Sequence, residues 1–100
     1  MRIGVPSSKI KEDFLVATDE GEAVAIGAGY YLATGNIAKV FMDGNGFSNA
    51  LDAITSLLIP YKIPVDIYVS ARKDEPWHCV MANNIERISE LIGYDRIILI

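Results

Sequence analysis

Residues 18–35 read TDEGEAVAIGAGYYLATG, and the way this stretch folds decides how the rest is arranged. Asp19, Glu20 and Glu22 stand at its head, and no charge follows until Lys39. Between them lie Ala, Gly, Val, Ile, Tyr and Leu, a composition suited to a helix buried on most sides. Asp19 with Glu22 three residues on has the spacing of a capping box, in which two side chains satisfy amides left free at a helix start. Carboxylates in a first turn also oppose the positive end of the helix dipole. The expected helix runs over Glu20–Thr34 and ends at Gly35, a residue suited to the left-handed conformation of a C-cap. Capping accounts for Asp19 and Glu22, and for Glu20 in part. Gly27 and Gly29 inside the helix cost roughly 1 kcal/mol each against Ala. Close approach of another backbone, from a neighbouring helix or a second subunit, would offset that.

Working outward, short β-branched and aliphatic runs alternate with helical patterns. Strands are expected at residues 2–5, 14–17, 38–42, 65–69 and 96–100, further helices at 47–59 and 77–92, and a short turn around 8–11. Gly93 sits where the last helix needs a C-cap. Such alternation implies crossover connections, hence an α/β fold: a three-layer parallel sheet with helices on both faces. Ligands of open parallel sheets bind beyond the carboxyl ends of the strands. That nominates four loops on one edge: Pro6, Ser7 and Ser8; Thr18, Asp19 and Glu20; Asp43, Gly44, Asn45 and Gly46; and Ser70, Ala71, Arg72 and Lys73.

One hundred residues make a single domain, with about half of them apolar and about a fifth charged. A net charge of -4 and no Lys/Arg cluster argue against a nucleic-acid binder. The single Cys79 excludes an internal disulfide and fits a reducing compartment. The start, MRIGVPSSKIKED, has no apolar core of signal-peptide length. The uncharged run over 23–38 is broken by glycines and falls short of the ~20 residues needed to span a bilayer. A soluble, cytoplasmic chain is expected.

Several motifs fall away. The GAG of residues 27–29 lies mid-helix without a preceding strand or a third glycine, so it is no dinucleotide fingerprint. The DGNG of residues 43–46 follows a strand and opens a helix, but no acidic pair ends the first strand as a phosphoacceptor domain requires. The single histidine, His78, has no nucleophile arranged for it. One His and one Cys cannot build a structural zinc site, and no metal ligands are assigned to this chain.

The blocks GVPSSKIK, TDEGEAVAIGAGYYLATG, FMDGNGFSNALDAITSLL, KIPVDIYVSAR and DEPWH occur in the same order in the sulfopyruvate and phosphonopyruvate decarboxylases. The chain resembles their pyrimidine-binding domain over nearly its whole length. In that family the blocks typically read like NEGEAVALAAGYYLATG, MQNSGLGNA and DEPQH. The resemblance implies thiamine diphosphate as cofactor and a pyrimidine-domain fold over residues 1–100. It gives Glu20 a role beyond capping: a glutamate at this position hydrogen-bonds a ring nitrogen of the aminopyrimidine and favours the tautomer that takes the thiazolium proton. His78 matches the histidine of DEPQH, near the substrate as proton donor or orienting group. Gly46 and Asn49 match the loop beside the cofactor, and Arg72 matches an arginine after the fourth strand that would meet the substrate.

Departures are specific. Asp43, Gly44 and Asn45 replace the family's Gln-Asn-Ser, and a Gly-rich stretch before DEP is missing. Relative to the family, elements before GVP and after the last strand are also not found, and the expectation is a domain shortened at both ends. The family holds the diphosphate and its Mg on a second domain carrying a GDG motif, which this sequence lacks. Catalysis therefore implies a β subunit bearing that motif, a hetero-oligomer, and a small anionic 2-oxo acid as substrate. The favoured expectation is the α subunit of a two-component decarboxylase most like sulfopyruvate decarboxylase, forming sulfoacetaldehyde and carbon dioxide. The alternatives are a decarboxylase for phosphonopyruvate or another 2-oxo acid, and a non-catalytic assembly module of the same fold.

Overall fold

Val40, Met42, Ile67 and Val69 alternate with Phe41 and Tyr68 along two runs rich in β-branched and aromatic residues, the pattern of strands packed on both sides. A computed structural model describes residues 1–71 and 75–100 and places strands on both runs. In chain order the elements are β1 (Arg2–Gly4), β2 (Leu15–Val16), α1 (Glu20–Thr34), β3 (Lys39–Asp43), a 3-10 turn (Gly44–Gly46), α2 (Phe47–Ala53) with a π-helical continuation (Ile54–Leu58), β4 (Asp66–Ser70), α3 (Cys79–Ala82), α4 (Ile85–Ile92) and β5 (Ile97–Leu99). The five strands form one sheet in the order β2-β1-β3-β4-β5, and every pair is parallel. The fold is α/β, as expected.

The five expected strands are all present, and α1 has the expected limits. The last expected helix, over 77–92, is instead two. Asn84 ends the first by turning its side-chain amide back onto the Val80 carbonyl at 2.7 Å, with its own backbone near φ -119 and ψ 0. This is the local competition with the helix ladder that makes Asn a residue of caps.

Ile3, Val40, Met42, Ile67 and Val69 put one face of the sheet into the core. There they meet Val24 and Ala28 of α1, Phe47 and Ala50 of α2, Ile54 and Leu58 beyond it, and Ile85 of α4. The chain steps from β3 to β4 to β5 in one direction, so right-handed crossovers set their helices on one side. On the opposite face Phe41 stacks between Phe14 and Tyr68, at centroid distances of 5.8 and 5.0 Å. There the irregular segment between β1 and β2 supplies cover through Phe14.

Residues Ala23, Val24, Gly27 and Ala28 of α1 are buried, whereas Ala25, Gly29, Leu32 and Ala33 are exposed. Within this chain, then, the helix is buried on one side. A β-carbon at Gly27 would stand 3.3 Å from the Val40 and Val65 side chains. Gly27 thus lets α1 lie close on the sheet, while Gly29 faces open space. At the helix start Asp19 accepts the Glu22 amide at 2.8 Å, and Glu22 accepts the amide of Thr18 at 2.8 Å. The reciprocal bond is displaced one residue from the usual box. Gly35 and Gly93 both end helices in the left-handed region, at φ 76 and 77. Among the described residues no helix is long and apolar enough to cross a membrane.

Candidate active site

Parallel pairing brings the ends of β1, β3 and β4 to one edge of the sheet. Asp43 closes β3 there and accepts a hydrogen bond from Ser7 Oγ at 2.6 Å, which ties the loop after β1 to the loop after β3. The 3-10 turn then runs tightly past the end of β4: a β-carbon at Gly44 would stand 3.1 Å from the Ser70 carbonyl and 3.2 Å from Ile85. Space, not turn geometry, fixes glycine at this position.

The turn delivers α2 against the start of α1. A β-carbon at Gly21 would lie 3.0 Å from the Asn49 carbonyl, so the two helix starts touch at backbone distance. Asn49 Nδ2 donates to Glu20 Oε1 at 3.2 Å. The rest of the Glu20 side chain lies over Gly46, filling the volume that a β-carbon there would need. Glu20, Gly46 and Asn49 are therefore in direct contact although 29 residues separate the first from the last. Glu20 is half-buried and Asn49 exposed, which leaves the carboxylate reachable from the strand edge. As an acceptor held by one amide and backed by bare backbone, it can take a further N–H donor.

His78 stands at the head of α3, and α3 packs on the Gly44–Gly46 turn. Its Nε2 lies 3.7 Å from Glu75 Oε2, and the Trp77 ring meets it edge-on with centroids 6.1 Å apart. At that separation the pair is an electrostatic contact for a protonated imidazole, beyond hydrogen-bond length. Trp77 itself is 75% exposed. The structure thus joins Glu20, Gly46 and Asn49 directly and links His78 to them through α3. Arg72, the expected substrate contact, lies outside the described residues.

Two features of this edge were not read from the sequence. One is the Ser7–Asp43 bond. Ser7 follows the end of β1 and Asp43 closes the adjacent parallel β3, and that shared edge is the signal that would have found it. The other is the exposure of Trp77, which lies in the turn before α3.

No family model matches the chain. The chain is 37% identical over 73 residues to phosphonopyruvate decarboxylase from Streptomyces viridochromogenes, a stretch covering 68% of this chain and 18% of that protein. The same figures hold for phosphonopyruvate decarboxylase from Streptomyces hygroscopicus. Over 58 residues it is 41% identical to sulfopyruvate decarboxylase subunit alpha from Methanocaldococcus jannaschii, covering 58% of this chain and 34% of that one. The matched stretch thus spans at most about a third of the length of these curated relatives. The fold and site define a parallel-sheet α/β domain with a carboxylate seated at the carboxyl edge of its strands. Over part of its length, that domain is homologous to phosphonopyruvate and sulfopyruvate decarboxylases.

Proposed function

We propose that the chain supplies the pyrimidine-binding half of a thiamine-diphosphate-dependent 2-oxo acid decarboxylase, most like sulfopyruvate decarboxylase. It works with a GDG-bearing β subunit that holds the diphosphate and its magnesium, as a cytoplasmic hetero-oligomer. The observation that carries this reading is the Glu20 carboxylate, seated on Gly46 and oriented by Asn49 at the carboxyl edge of a parallel sheet. Support also comes from the relatives, two named for phosphonopyruvate decarboxylation and one as an alpha subunit.

The residues present fit the aminopyrimidine end of the cofactor. Gly46 leaves room for the Glu20 side chain to lie over its backbone, and Glu20 offers an acceptor that Asn49 keeps from rotating away. The chemistry brought by thiamine diphosphate when bound is a carbon nucleophile for the 2-oxo group and a sink for the electrons released with carbon dioxide. Glu20 would hold a proton at its carboxylate for a ring nitrogen of the bound aminopyrimidine. A partner subunit closing over this edge would exclude water and strengthen that contact. His78 orients the substrate or gives it a proton, and Arg72 meets the second anionic group expected of a sulfonate or phosphonate substrate.

The test is Glu20→Gln in the chain co-expressed with its GDG-bearing partner. The expected result is an intact complex whose decarboxylation of sulfopyruvate falls by about a hundredfold or more, the scale of a lost proton-transfer group. An unchanged rate with the complex assembled would remove Glu20 from the mechanism. A panel of sulfopyruvate, phosphonopyruvate and apolar 2-oxo acids then fixes the substrate.

A further inference from the structure

At the edge of the sheet farthest from β2, β5 and α4 frame a groove of about 360 Å³ floored by Tyr94, Ile97 and Leu99 and rimmed by Glu86, Glu90 and Asp95. It is remote from Glu20 and has no part in the decarboxylase site. Two further observations bear on what it holds. First, the β5 ladder is one-sided. Ile67 donates to the Arg96 carbonyl and Ile100 to the Val69 carbonyl, both at 2.9 Å, in a register that pairs Ile67 with Ile97 and Val69 with Leu99. In a parallel pair that register turns the N–H and C=O of Ile97 and Leu99 away from β4. The side chains in the groove and the backbone groups open at the edge thus belong to the same two residues. Second, among the described residues no basic one lines the groove, and nearby Arg96 is committed to Asp66 at 2.7 Å.

We propose that the β5 edge receives an extended segment of a partner polypeptide in which long basic and apolar side chains alternate. Its main chain takes up the free groups of Ile97 and Leu99 and extends the sheet by a sixth strand. On the groove side, Lys or Arg stems cover Tyr94, Ile97 and Leu99 while their charged heads reach Glu86, Glu90 and Asp95, as long basic side chains do on apolar ground. On the other face the alternate residues continue Ile98 and Ile100, which are 36% and 55% exposed. A second copy of this chain is the wrong occupant, because two β5 edges paired about a twofold axis would set one acidic rim against the other.

The test uses the whole chain, labelled for NMR, and an end-blocked peptide of about eight residues alternating Lys and Val, long enough for one strand. The expected result is saturable binding with slowed exchange at the Ile97 and Leu99 amides. Affinity should drop at least about tenfold when Glu replaces Lys, or when the same residues are reordered to break the alternation. Leu99→Pro removes an amide that makes no bond to β4, so the fold persists while binding is lost. The double variant Glu86→Lys, Glu90→Lys, at two exposed positions, reverses the preference between the Lys and Glu peptides. Equal binding of the reordered peptide, or shifts spread over the acidic surface without protection at 97 and 99, would overturn the proposal. So would amides protected without peptide in a concentration-dependent dimer, which would assign the edge to self-association.

Discussion

The Glu20 side chain occupies the space that a β-carbon on residue 46 would fill. Gly46 has ordinary right-handed angles, φ -80 and ψ -13, so its backbone would accept any residue. What a side chain would meet first is the Glu20 side chain. Gly46→Ala is therefore expected to push Glu20 off its seat and away from Asn49 while the fold stands. Urea denaturation should show a change of less than about 1 kcal/mol, since Ala is also the better helix-forming neighbour. Decarboxylation by the assembled complex should fall by at least about tenfold, a loss typical of a displaced catalytic group. A variant with full activity would show that Glu20 need not rest there.

A second prediction concerns Tyr94, whose hydroxyl grips one residue twice. It donates to the Val65 carbonyl at 2.5 Å and accepts from the Val65 amide at 3.0 Å. Val65 is fully buried, so Tyr94→Phe leaves both of its backbone groups without this partner. The expected loss is about 1–3 kcal/mol in equilibrium unfolding, the penalty of unsatisfied buried polar groups. An effect within error would mean that water replaces the hydroxyl.

The same residue gives a pH dependence. Burial raises the Tyr94 phenol above its ordinary 10.0, against the opposing pull of the Val65 hydrogen bond. Below the unfolded-state value both states keep the proton, and Tyr94's contribution is complete. Above it the unfolded chain ionises first, so stability drains away as pH climbs towards the folded-state value. Unfolding midpoints for wild type should therefore drop as pH rises past the ordinary phenol value of 10.0. Tyr94→Phe should show a shallower decline. Parallel curves for the two proteins would assign the alkaline loss to other groups.

Lys62 is the third site. It adopts φ 54 in the turn before β4, the single non-glycine residue with positive φ among the described residues. Left-handed backbone costs an L-residue roughly 1 kcal/mol. Lys62→Gly should relieve it and raise stability by a few tenths to about 1 kcal/mol, part of the gain being returned as chain entropy. A lower melting temperature would mean that the lysine side chain makes a compensating contact.

Much of the fold could be read in the chain because its punctuation is local. Asp19, Gly35 and Gly93 mark helix ends by their own chemistry, and apolar runs at 38–42 and 65–69 mark central strands. The break at Asn83 and Asn84 was missed because the apolar period continues across it; a side-chain hydrogen bond decides there, and hydropathy does not register it. The cover on the second sheet face was missed because Phe14 works from an irregular segment with no period. At the site, Glu20, Gly46 and Asn49 were nominated together through the resemblance to decarboxylases. Composition and spacing alone gave Glu20 a capping role in part. The contact between Glu20 and Gly46 depends on how α1 and α2 meet, which is a property of packing.

The strand order has a consequence for how the molecule is built. No two consecutive strands are joined by a hairpin, since every pairing in the sheet is parallel and needs a crossover. Strand β1 cannot close its pairing with β3 until the whole of α1 and the loops around it have been spanned, 37 positions from Arg2 to Lys39. Loop-closure entropy is thus met before the pairing rewards it, and folding should be slow for a chain of this size. The nucleus is then expected at β3 and β4, the paired strands nearest in sequence that enclose a helix, with α2 between them. β1 and β5 add on either side of this nucleus, and an interruption at that stage leaves two raw sheet edges showing.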